Sequence, residues 1–191
     1  MTDFDRYLEA ATRANTRRSY AAAVKHFEVE WGGHLPATAD GVSRYLAHYA
    51  DNLAVSSHPY PAVPETLAEL ARRGAGLAVC TNKQELYSRR LLEALGLAPS
   101  FRALAGRDTL PVMKPHPDHL LGAIRMAGGD PARAVMVGDS ETDIRTARAA
   151  SIPVVAVTFG YTDTPVTELS PDAVIDHYDA LIPAIERVRP R

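Results

Sequence analysis

Ala134-Val135-Met136-Val137-Gly138-Asp139-Ser140-Glu141-Thr142-Asp143 reads as a strand that turns directly into a helix. Four consecutive apolar residues suit a strand covered on both faces, as in a parallel sheet flanked by helices. Gly138 permits a tight turn, and Asp139 stands where the strand ends. Asp143 follows one helical turn later on the same face. Two carboxylates converging at a helix start form a hard oxygen site suited to Mg²⁺. The competing reading is a capping box, with Ser140 as N-cap and Asp143 reaching back to it. That reading accounts for Ser140 and Asp143 and leaves Asp139 without a purpose.

Outward from this stretch, apolar runs alternate with amphipathic segments. Strands are expected at Gly76–Cys80, Arg133–Val137, Val154–Val157 and Ala173–Ile175, with a shorter one around Phe101–Leu104. Helices are expected at about Val63–Arg73, Gln84–Leu95, Pro117–Met126, Glu141–Ala150 and Tyr178–Arg187. The alternation implies an α/β core with a Rossmannoid parallel sheet between helices. Upstream the texture changes. Tyr20, Ala23, Val24, Phe27 and Trp31 recur at helical spacing, Gly32-Gly33 ends that helix, and Val42, Tyr45, Leu46 and Tyr49 continue in another. The chain therefore divides into a helical segment, 1–55, and an α/β core, 56–191. Ser56-Ser57-His58-Pro59-Tyr60-Pro61 is a stiff, extended link between them.

Two more strand ends carry polar groups, where open parallel sheets bind ligands. Cys80-Thr81-Asn82-Lys83 offers a hydroxyl just past a buried strand, unless Thr81 only caps the next helix. Lys114-Pro115-His116-Pro117-Asp118 holds a lysine on a loop stiffened by prolines, unless Lys114 is merely a solvated surface charge. Taken in order, a hydroxyl, a fixed cation and an acidic pair are what phosphoryl transfer requires.

In these motifs residues 45–188 resemble the haloacid dehalogenase (HAD) superfamily, and most of all its phosphoglycolate phosphatase branch. Thr81, Lys114 and the pair Asp139 and Asp143 match the family's second, third and fourth motifs. The resemblance implies a Mg²⁺-dependent phosphatase of small phosphomonoesters working through an aspartyl-phosphate. Thr81 and Lys114 would be catalytic, Thr81, Asn82 and Lys114 would hold phosphate, and Asp139 and Asp143 would hold the metal. The family opens on an apolar strand ending in Asp-x-Asp-Gly-Thr, whose first Asp is the nucleophile. Here the nearest match is Asp3-Phe4-Asp5-Arg6-Tyr7-Leu8, with only Met1 and Thr2 before it. Asp3 and Asp5 read instead as first-turn helix acids. The nucleophile strand, which lies mid-sheet in the family, is therefore expected to be missing. Three outcomes are open: the neighbouring strands close over the gap, Leu53-Ala54-Val55 fills it, or the chain is unstable alone.

Asn15-Thr16-Arg17-Arg18-Ser19-Tyr20, with Leu35-Pro36-Ala37-Thr38 and Val42-Ser43-Arg44-Tyr45-Leu46, resembles the core-binding domain of tyrosine recombinases. That likeness implies a fusion, and with it the alternative of an inactive product carrying a DNA-binding-like helical module. Acidic residues Asp3, Asp5, Glu9, Glu28 and Glu30 balance the nearby arginines, so nucleic acid is not the expected partner. A net charge of -2 over 191 residues points the same way. A lone cysteine, Cys80, precludes an intrachain disulfide and suits a reducing cytoplasm. Neither a signal peptide nor a bilayer-spanning run is read. The expected partner is a small phosphorylated metabolite.

Overall fold

The computed structural model describes residues 53–55, 57–160 and 162–189. The expected helices between residues 4 and 50 lie outside them, as do Asp3 and Asp5. Ala54–Arg191 forms one compact unit. Among the described residues there are five strands, β1 (Ala78–Cys80), β2 (Ala103–Ala105), β3 (Met136–Gly138), β4 (Val154–Val157) and β5 (Ala173–Ile175). Within the same described residues five α-helices accompany them, α1 (Val63–Arg72), α2 (Glu85–Ala94), α3 (Pro117–Met126), α4 (Glu141–Ala149) and α5 (Leu181–Val188). Every strand and helix expected in the core is present, mostly shortened at its ends. At β3 the first residue of the expected strand, Arg133, is spent on a 3₁₀ turn, Pro131–Arg133, capped by the Asp130 carboxylate accepting from the Ala132 N–H at 2.9 Å. The last helix begins with a 3₁₀ turn, Tyr178–Ala180, before α5 proper.

All strand pairs are parallel, and they fall into two blocks, β2-β1 and β3-β4-β5. The two blocks nonetheless lie between the same two apolar layers. One layer joins Met136, Val154 and Ala156 to Leu120 of α3 and to Ile144 and Ala147 of α4. The other joins Val155, Val157, Ala173 and Ile175 to Leu70 of α1 and to Leu181 and Ala184 of α5. Cys80 packs against the first layer, whereas Leu77, just before β1, packs against the second. β1 thus alternates between the same layers as β4, as adjacent residues of a strand must. Among the described residues no strand lies between β1 and β3.

Burial follows this division. β4, paired on both sides, is buried at every position, whereas β1 is only half-buried throughout. Leu53–Val55 does not fill the slot as a strand. It forms a turn, and Val55 is 76% exposed. A turn leaves these residues without the extended backbone that a ladder needs. Among the described residues no helix is long and apolar enough to cross a membrane.

Candidate functional site

The carboxyl ends of β1 and β3 and the loop before α3 converge on one residue, Lys114. Its ammonium donates to Asp143 Oδ1 at 2.6 Å, and the two side chains are only 11% and 5% exposed. A lysine this buried needs a paired anion, because an unpaired charge is costly out of water. Lys114 is therefore not a solvated surface lysine. Asn82 fixes the backbone beneath it. The Asn82 amide donates to the Lys114 carbonyl at 2.9 Å and accepts from the Lys114 N–H at 3.0 Å. The Lys114–Pro115 peptide is cis, and the His116 side chain then caps α3 by accepting from the Asp118 N–H.

Asp143 is used on both oxygens. Oδ2 accepts from the Asp139 N–H at 3.1 Å, the Ser140 N–H at 3.2 Å and the Ser140 hydroxyl at 2.8 Å. The Asp143 N–H in turn reaches Ser140 Oγ at 3.3 Å, so the capping box is real. Burial opposes ionisation of Asp143, but Lys114, Ser140 and the Asp139 N–H outweigh it. The carboxyl is held below its ordinary range. Capping uses Oδ2 and the ion pair uses Oδ1, so the capping reading of Asp143 holds and leaves the Lys114 contact on the other oxygen.

Asp139 has different surroundings. It lines a hollow of about 180 Å³ together with Tyr60, Val137, Gly138, Val157, Phe159, Gly160 and Tyr178. The rings of Tyr60, Phe159 and Tyr178 form one cluster, with centroids 4.8 Å apart for Tyr60 and Phe159 and 5.4 Å for Phe159 and Tyr178. The Tyr60 hydroxyl donates to the Phe159 carbonyl at 3.3 Å. Burial, and then the Asp139 charge, raises the Tyr178 phenol.

Thr81 lies beside Asn82 at the end of β1. Its hydroxyl accepts from the Lys83 N–H at 3.2 Å. It does not cap α2. That service comes from the Asp108 carboxylate, which accepts from the Glu85 N–H at 2.8 Å. Behind Thr81, the Cys80 thiol meets His119 Nδ1 at 3.3 Å, and the opposite ring nitrogen sits 2.9 Å from the Gly106 carbonyl. A carbonyl accepts only, so Nε2 carries the proton and the thiol donates to Nδ1. Burial pushes the Cys80 thiol up to about 11, although Lys114 pulls it down. Cys80 is therefore a packed thiol and not a nucleophile.

Asn82, Lys114, Ser140 and Asp143 are thus in direct contact, Asp139 is tied to them through its backbone, and Thr81 shares their strand end. Sequence reasoning missed Tyr60, Phe159, Gly160 and Tyr178. The rule that located the other loops, polar or glycine residues just past a strand, also applies to Thr158-Phe159-Gly160 after β4.

A hard cation is tested by these donors. Among the described residues no group of three or more His, Cys, Asp or Glu converges. Mg²⁺ does not demand one, since it keeps several waters and takes one or two carboxylates. Asp139 offers a carboxylate on the hollow, and Asp143 Oδ1 keeps a lone pair beside Lys114. The donor set fits such an ion.

The sequence model of haloacid dehalogenase-like hydrolases matches residues 3–151. That span includes the N-terminal stretch that resembled recombinases, and a DNA-binding role there stands on that resemblance alone. A phosphoglycolate phosphatase of Mesorhizobium japonicum is 49% identical over 178 residues, 93% of this chain and 76% of the relative. One from Agrobacterium fabrum is 50% identical over 142 residues, 74% of this chain and 61% of the relative. The crystal structure of a predicted phosphoglycolate phosphatase from Haemophilus somnus superposes with a TM-score of 0.71 at 33% identity, covering 76% of this chain and 67% of the other. With its parallel strands between two helical layers and its ordered motifs, the chain belongs to the haloacid dehalogenase-like hydrolase family.

Proposed function

We propose that this chain carries the phosphate- and metal-binding part of a Mg²⁺-dependent phosphomonoesterase acting on a small metabolite such as 2-phosphoglycolate. The observation that carries this reading is the buried Lys114–Asp143 pair, 2.6 Å long, set behind a carboxylate that lines a hollow at the strand ends. Lys114 would neutralise phosphoryl charge from a position held by Asn82. The Thr81 hydroxyl proton is available to donate to a phosphoryl oxygen, because its oxygen only accepts in the turn to Lys83. Asp139 would be the principal metal ligand, with Asp143 able to add only the lone pair that Oδ1 keeps. A bound Mg²⁺ would supply charge stabilisation for a transferring phosphoryl group. The names of the relatives support the substrate class.

The nucleophile belongs on a strand between β1 and β3, and none is found there among the described residues. That observation favours a second reading, a binding site that retains ligand without hydrolysis. Calorimetry with Mg²⁺ on the full chain and on Asp139→Asn tests the shared part. Binding by the full chain and its loss in the variant are expected, while equal behaviour would remove the metal site. Hydrolysis of 2-phosphoglycolate and of a chromogenic phosphate ester then separates the two readings. Turnover that survives Asp3→Asn and Asp5→Asn would exclude those residues as nucleophile.

A further inference from the structure

We propose that His119, in the first turn of α3, is a positioning residue that fixes the Thr81–Asn82–Lys83 turn relative to the Lys114 loop from the buried side. His119 is 0% exposed, and both of its ring nitrogens are occupied. Nδ1 takes the Cys80 thiol and Nε2 donates to the Gly106 carbonyl, so one neutral imidazole serves two partners. Those partners flank the turn. Cys80 immediately precedes Thr81. Gly106 stands between Ala105, whose carbonyl accepts from the Thr81 N–H at 2.9 Å, and Arg107, whose N–H donates to the Lys83 carbonyl at 2.9 Å.

Two bodies meet at this point. The first is the turn after β1, the loop after β2 and the start of α2, and it is tied within itself. The Asp108 carboxylate accepts from the Glu85 N–H, the Thr109 hydroxyl donates to Glu85 Oε2, and the Gly106 N–H donates to Thr109 Oγ1, each at 2.8 Å. Gly106 lies so close to α2 that a Cβ on it would stand 2.5 Å from the Glu85 nitrogen. The second body is Lys114 with the start of α3, where the His116 N–H donates to the Met113 carbonyl and the His119 N–H to the His116 carbonyl. Asn82 links the bodies at the exposed rim, through the Lys114 backbone. His119 links them in the interior. Apolar packing of α3 resists separation but has no direction, whereas a hydrogen bond fixes distance and angle. Attachment by Asn82 alone leaves a hinge, and the second attachment removes it. Asp143 holds the Lys114 ammonium separately, so what His119 adds is the place of the Thr81 hydroxyl relative to that cation.

This inference rests on the proposed function for its consequence, but the attachment can be measured without any ligand. The Lys114 N–H, which donates to Asn82 Oδ1, reports on the junction between the bodies. The Arg107 N–H reports on the first body alone, and the Thr158 N–H, which donates to the Ile175 carbonyl, reports on the β4-β5 block. Solvent exchange of these three amides is compared in the native chain, in His119→Leu and in His119→Gln. In His119→Leu the Lys114 amide should exchange about tenfold faster, the order expected for one weakened hydrogen bond, while Arg107 and Thr158 stay as in the native chain. A uniform acceleration would make His119 a core residue only, and an unchanged Lys114 amide would leave it no part in the junction. Either result overturns the proposal. His119→Gln keeps a donor for Gly106 but cannot also accept from the thiol. A smaller acceleration confined to Lys114 is expected there, and this variant decides alone if His119→Leu does not fold. Calorimetry with inorganic phosphate gives the second reading. A fall of about tenfold or more in affinity is expected for His119→Leu, as for other groups that orient a ligating residue. Native affinity in that variant, with affinity lost in Lys114→Gln, overturns the positioning role. If the native chain binds no phosphate, the proposed function fails, and exchange at Lys114 still decides the role of His119.

Discussion

The two carboxylates at the start of α4 stand four residues apart, yet the protein treats them in opposite ways. Asp143 is surrounded by donors, with Lys114 on one oxygen and Ser140 and the Asp139 N–H on the other. Asp139 borders a hollow walled by three aromatic rings and two glycines. Asp143 is held by Lys114, by Ser140 and by the Asp139 N–H, whereas Asp139 borders the hollow. Under the proposed function the contrast would separate holding the site together from binding at it, although the sequence presents both as one motif.

The sharpest way to break this comparison is to remove each acid in turn. Asp143→Ala strands a buried lysine and opens the capping box, so a loss of about 3–5 kcal/mol is expected by urea unfolding. A loss below about 1 kcal/mol would mean that Lys114 escapes to water and that Asp143 is not the anchor. The pH dependence sharpens the same point. Because the folded carboxyl is held below its ordinary range, the stabilisation is complete above the unfolded value of about 4 and disappears as pH falls through the folded value. Unfolding midpoints measured across the acid range should therefore decline for the native chain, and Asp143→Asn should flatten that decline. Matching slopes for the two proteins would contradict the assignment.

Asn82→Ala probes the backbone clamp under Lys114. Two hydrogen bonds are lost, and a cost of about 1–2 kcal/mol is expected in the same unfolding experiment. The smallest effect is expected for Asp139→Asn, which removes a charge without changing shape, with a cost of about 1 kcal/mol or less even as Mg²⁺ binding is lost. A large destabilisation there would make Asp139 structural as well, and the contrast between the two acids would vanish.

A second contrast lies in the sheet. β4 is buried along its whole length, and its continuous apolar run, Val154-Val155-Ala156-Val157, announces this. β1 has a comparable run, Leu77-Ala78-Val79-Cys80, but remains half-buried, with β2 as its only ladder partner among the described residues. Apolar content states what a strand is suited to, while its neighbours decide how much water it sheds.

The order of strands and helices was legible in the sequence, as was the placing of Thr81, Asn82, Lys114, Asp139 and Asp143 in the loops and turns beyond strand ends. They depend on local signals, namely apolar periodicity, turn residues and polar groups at fixed offsets from a strand. The division of labour between Asp139 and Asp143 was not legible. It depends on Lys114, which arrives from 29 residues upstream, and on the hollow beside Asp139, whose walls come from separate segments. The aromatic wall joins Tyr60 to Phe159 across 99 residues. Turn extents depended on the fold as well, since Leu53–Val55 is apolar enough for a strand and still forms a turn. A linear pattern encodes which side chains can do chemistry. Only the packed chain decides which of their lone pairs are already taken, because that depends on distances between segments that the sequence does not contain.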